Sequence, residues 1–172
     1  MYKRQGNNWI PIESISGAAT DYSFTSIPSG YKSLILKGLV QSSNSTYIQE
    51  GYLRCNNDTG SNYADSEFGY HSNTTTIRHA MADSVTGGTA GFIGGSYLGD
   101  WMAHVEIHIF GNDDSNRYTQ WVGTSAMGGG ANGYNVTMFA GGLWKDMSVV
   151  TQIDTFAFNF NSNSVLTLYG RK

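Results

Sequence analysis

The chain has one cysteine, two prolines and few charges. Cys55 stands alone, so an intrachain disulfide is excluded and nothing covalent staples the fold. With only Pro11 and Pro28, there is no Pro-rich linker, and 172 residues most simply form one domain. Lys, Arg, Asp and Glu make up 13% of the chain, about half the usual share. That shortage does not mean disorder, because 40% of the residues are hydrophobic and 13% aromatic. Disordered chains lack the apolar groups that offset the entropy of ordering. No apolar run reaches membrane-spanning length, and M-Y-K-R-Q-G-N-N-W lacks the apolar stretch of a signal peptide. The expectation is synthesis in a cytoplasm with no membrane partner.

Basic residues are also scarce where they would count. Four of the ten are terminal: Lys3, Arg4, Arg171 and Lys172. Residues 5–170 hold six basic groups against thirteen acidic ones, so the body has no basic stripe for nucleic acid.

What is plentiful is uncharged and polar. Ser, Thr and Asn supply 48 of the 172 residues, and glycine adds 22. These residues punctuate runs of period-two alternation, the mark of strands with one buried face. The clearest run is Trp101 to Phe110. There Ala103, Val105, Ile107 and Ile109 are expected inward, and Met102, His104, Glu106 and His108 outward. The turn at 111–116 returns the chain through Arg117 to Ser125, which predicts a hairpin. Further strands are read at Trp9–Ile15, Thr20–Ile27, Tyr31–Val40, Tyr47–Asn56, Ala90–Tyr97, Tyr134–Trp144 and Val149–Ile153. Pro11 places the first of these at an edge or in an arm. At the C-terminus, Phe156, Phe158 and Phe160 alternate before N-S-N-S, and Val165, Thr167 and Tyr169 alternate after it. This predicts a terminal β-hairpin. The count is eight to ten strands without crossover helices. The fold class is therefore all-β, an antiparallel β-sandwich, jelly-roll-like in strand number. An N-terminal arm, 1–11, precedes a single sandwich domain, 12–172.

Motifs for chemistry are weak. H-V-E-I-H (His104 to His108) sits on a strand, where its outer histidines stand about 13 Å apart at ~3.3 Å per residue. One metal ion cannot bridge them, and the motif differs from the helical H-E-x-x-H. The loop Asn56 to Asn62 is rich in oxygen but has one carboxylate, and turn chemistry explains it better than calcium. The glycines of 128–133 lack the Lys-Ser/Thr and helix of a phosphate loop. No G-x-S-x-G elbow is present. The expectation is no enzyme, no cofactor and no resident metal. Cys55, alternating with Leu53, reads as a buried inert thiol.

Interaction residues are the better candidates. The arm combines Lys3 and Arg4 with Trp9 and Ile10, which it cannot bury on itself. Tyr63, Tyr70 and Tyr134 stand in polar stretches read as loops, where aromatics fill interfaces or stack on sugars.

Three segments carry a resemblance: S-I-P-S-G-Y-K-S-L-I-L-K-G (Ser26 to Gly38), L-R-C-N-N-D-T-G-S-N-Y (Leu53 to Tyr63) and the terminal S-V-L-T-L-Y-G. In that order they resemble the β-sandwich domains of tailed-bacteriophage virion proteins, both capsid decoration proteins and tail-fibre tips. The resemblance implies a structural, non-catalytic homotrimer. No shaft repeat or coiled coil is present, which favours a decoration (cement) protein. It would bind the major capsid protein on the outside of the head shell. The alternative it leaves is a tail-fibre or receptor-binding module that recognises host-surface glycan.

Overall fold

A computed structural model describes residues 8–72, 77–99, 101–128 and 135–172. They form twelve strands and one short 3-10 turn at Ser96–Leu98. In chain order the strands are β1 (Ile10–Ser16), β2 (Tyr22–Phe24), β3 (Ser33–Val40), β4 (Ile48–Cys55), β5 (Tyr63–Ser72) and β6 (Arg78–Val85). The second half contributes β7 (Gly88–Gly94), β8 (Ala103–Phe110), β9 (Thr119–Met127), β10 (Asn135–Trp144), β11 (Ile153–Phe156) and β12 (Val165–Arg171). The eight-stranded sheet runs β1-β12-β3-β8-β9-β10-β5-β6, and the four-stranded sheet runs β2-β11-β4-β7. The paired strands are antiparallel, and the expected β-sandwich is the architecture observed.

Alternation sorts the faces as the sequence predicts. On β8, Ala103, Val105, Ile107 and Ile109 are buried while His104 and Phe110 are exposed. The β8–β9 hairpin forms, with Ile109 opposite Trp121 and Ile107 opposite Gly123. The core between the sheets is rich in buried aromatics. Trp121 is almost fully buried, and its ring occupies space that side chains at 88 and 142 would take. A Cβ there would come within 2.0 and 1.9 Å of the indole, so glycine is required by close approach.

Three expectations change. The terminal hairpin does not form. β11 belongs to the small sheet, between β2 and β4, whereas β12 lies in the large sheet between β1 and β3. Ala157 and Asn159 have φ of 64° and 52°, which ends β11 after Phe156 and carries the chain across to the other sheet. Second, 63–72 is a strand rather than a loop, ten residues long and paired to β10 and β6. Third, Ile10 and Pro11 are not arm residues. They pair with Gly170 and Tyr169, so the sheet begins at Ile10.

The small sheet's edge strand β7 is covered by side chains of the large sheet. The Thr89 amide donates to Asp65 Oδ2 (2.6 Å), and its carbonyl accepts from Trp121 Nε1 (3.1 Å). The Phe92 amide donates to Ser125 Oγ (3.1 Å). Backbone groups that would otherwise be orphaned at the edge are thereby satisfied.

Candidate functional site

The outer face of the eight-stranded sheet points away from the small sheet, and its composition changes along the strand order. Over β3 and β8 it is charged. Lys37 and Glu106 are cross-strand neighbours, with Nζ to Oε2 at 2.8 Å. His108 Nε2 meets Glu106 Oε1 at 2.6 Å. Burial opposes ionisation of Glu106. The hydrogen bonds from Lys37 and His108, with their charges, outweigh that cost and hold the carboxyl below its usual value.

Over β9, β10, β5 and β6 the face turns apolar. Val122, Phe139, Phe68 and Met81 are each more than half exposed. Phe139 and Phe68 sit directly opposite in register. Gly141 faces Val122 on one side and Ser66 on the other, and Ser66 faces Met81. With no side chain at Gly141, the four apolar groups rim a shallow groove of about 370 Å³. Leu39 and Val165, both exposed and directly paired, form a separate apolar spot on the β3–β12 side, across β8 from this groove. Contiguous exposed apolar groups of this kind mark interaction surfaces more often than scattered ones do.

The arm candidates resolve in part. Trp9 is half-buried and rests on its own subunit, edge-on to His108 at 6.2 Å, with the Arg171 guanidinium 5.3 Å from its ring centre. Ile10 is 42% exposed at the start of β1. Lys3, Arg4 and Tyr134 lie outside the described residues.

Of the tyrosines, Tyr70 is half-buried on β5, opposite Thr137. Tyr63 corrects the sequence reading. It is fully buried, packed beside Trp121 and Trp144 at 6.4 and 6.5 Å. Its hydroxyl accepts from the Cys55 amide (3.0 Å) and donates to the Cys55 carbonyl (3.2 Å). It is a core residue because alternation along β5 turns it inward with Asp65 and Glu67. Trp121 and Trp144 are likewise buried, while Trp101 is 42% exposed.

Two further features stand apart. Glu50, Asp65 and Glu67 share a cleft of about 430 Å³ with Tyr52 and Phe156. Sequence reasoning missed it, since its carboxylates come from consecutive strands, β4 and β5, that lie in different sheets. The alternation Tyr63, Asp65, Glu67 was the available signal. Asp65 and Glu50 both serve Thr89, through its amide and its hydroxyl (3.3 Å), so they hold the edge of β7. The second feature is an exposed ring pair, Tyr47 and Tyr97, with centroids 5.5 Å apart. The H-V-E-I-H histidines do not converge. His104 faces Leu39 and Ala126, one register away from the Glu106 network. Among the described residues, no three His, Cys, Asp or Glu side chains gather as a metal site would require.

No protein-family model and no curated protein matches the chain.

Proposed function

We propose that the chain is a structural virion protein, a capsid decoration (cement) protein that binds the major capsid protein on the outside of a phage head. The observation that carries this reading is the apolar half of the outer face, with Phe68, Phe139, Val122 and Met81 exposed on rigid strands. A sheet face suits a shell because its side chains are fixed by the backbone ladder, and binding then orders little. Each contact made only on the assembled shell stabilises that shell by mass action. The ordered resemblance of three segments to phage virion domains supports the same reading and adds the homotrimer. The proposed role is non-catalytic, and the use of Asp65 and Glu50 to hold Thr89 supports that.

The test is co-sedimentation of the purified protein with phage heads that lack it. Phe68→Lys and Phe139→Lys are expected to leave the fold intact and to abolish binding. Heads that bind both variants as well as the wild type would refute docking through this face.

The second reading is a receptor-binding module for host-surface glycan. The exposed Tyr47–Tyr97 pair favours it, because aromatic faces stack on sugar rings. A glycan array separates the two. Binding abolished by Tyr97→Ala supports the glycan reading, and head binding without glycan binding supports decoration.

A further inference from the structure

The two sheets present four edge strands: β1, β6, β2 and β7. Exposed edges are templates for pairing with another chain, and proteins usually blunt them. Three of these are blunted. β1 carries Pro11 and a register shift between Pro11 and Glu13. β2 is three residues long. β7 has its backbone groups taken by Asp65, Trp121 and Ser125. β6 is different. It is eight residues long, with no proline, and among the described residues no strand lies on its outer side. It is regular from Arg78 to Asp83, where each residue is in step with β5. Met81 at its centre is 86% exposed.

The sequence of that stretch is chemically symmetric: His79-Ala80-Met81-Ala82-Asp83. We infer that β6 pairs antiparallel with β6 of a second copy, about a two-fold axis through Met81. In this register Met81 faces Met81 of the second copy, and Ala80 faces Ala82. His79 faces Asp83 of the second copy, and the same pair recurs on the other side of the axis. A ring N–H of His79 can donate across the strands to Asp83, whose exposed carboxylate also holds Lys145 of its own chain, whereas carboxylate set against carboxylate destabilises a pair. A register shifted by one residue on each strand would break both His–Asp matches, so these matches select the centred one. The contact is isologous and closes on itself, so it ends at two copies or links two larger units. Pairing also joins the apolar halves of the two outer faces through Met81. The inference does not rest on the virion reading. It is measured on purified protein without particles, so either can fail alone.

The experiment is the mass of the full chain by light scattering over a concentration series, with circular dichroism as the control for folding. At high concentration the wild type is expected to have twice the mass of Met81→Lys, in which two lysines meet across the axis. His79→Asp is expected to halve the mass as well, by setting carboxylate against carboxylate. Combining His79→Asp with Asp83→His exchanges the two ends and is expected to restore the doubled mass. Equal masses for the wild type and folded Met81→Lys would overturn the pairing. So would a folded double variant that stays at half mass, since the His–Asp match then does not set the contact. If Met81→Lys does not fold, the His79→Asp single and double variants decide alone.

Discussion

Trp144 donates its indole N–H to the carboxylate of Asp58, Nε1 to Oδ2 at 2.7 Å, joining the end of β10 to the loop after β4. The same carboxylate accepts from Asn62 Nδ2 (2.9 Å) and the Gly60 amide (2.8 Å). One side chain thus closes the 56–62 turn and satisfies a buried tryptophan. Asn56 and Asn57 make the turn possible by adopting φ of 51° and 53°, which asparagine tolerates better than most residues.

Removing that carboxylate should therefore cost stability twice, through the loop and through Trp144. Asp58→Ala is expected to destabilise by about 1–3 kcal/mol, the range for losing hydrogen bonds to a charged group. Urea denaturation followed by tryptophan fluorescence measures it. The pH dependence has a fixed sign. Burial opposes ionisation of Asp58, but the bonds from Trp144, Asn62 and Gly60 and the charge of Arg54 outweigh it, and the carboxyl lies below its usual value. Its contribution is full above the unfolded value, near 3.9, and is lost as pH falls through the lower folded value. Asp58→Asn should show a shallower fall in stability below about pH 4. An identical acid profile would remove this linkage.

The close approach of Trp121 to Gly142 gives a second prediction. Gly142→Ala drives a methyl into the indole and should cost about 1–3 kcal/mol, the usual range for overpacking. Trp121→Phe in the same chain should recover part of that loss, because it clears the contact. Thermal melts of the two single variants and the double variant form the cycle that checks it.

Trp9 contributes to its own subunit through His108 and Arg171. Trp9→Ala is expected to lower stability by about 1 kcal/mol, as befits a cation–aromatic contact near the surface. Arg171→Ala should lower it similarly, and the two losses should not add. Full additivity in equilibrium unfolding would show that the pair does not act together.

The thiol of Cys55 is buried, and burial, with the charges of Asp154 and Asp58 behind it, pushes its pKa up. The thiolate needed for reaction is therefore scarce at neutral pH. A thiol reagent should modify the native protein only as fast as it opens, so the rate should rise with urea in step with unfolding. Fast labelling of folded protein would contradict the burial.

Much of the fold was legible because a sandwich buries one face of each strand. β8 was readable residue by residue: Val105, Ile107 and Ile109 alternate with polar neighbours, and a one-residue slip would expose them all. β5 was not readable, since its inward positions hold Asp65 and Glu67 and its outward ones hold Phe68 and Tyr70. Hydropathy pointed the wrong way there, because Asp65 is held by the amide of Thr89, a strand with no local link to it. That inversion also hid Tyr63 in the core.

The sequence by itself determined which stretches alternate, that strands rather than α-helices build the described residues, and that Cys55 is buried. It also determined the self-complementary order of His79 to Asp83, since that needs only adjacency. Tertiary structure decided which strands are neighbours. Alternation reports that a face is buried but not against what, so Phe156 and Val165 read as one hairpin although their strands lie in different sheets. It also decided where apolar groups stay exposed. Val122, Phe139, Phe68 and Met81 come from four strands, and only the order β9-β10-β5-β6 sets them side by side.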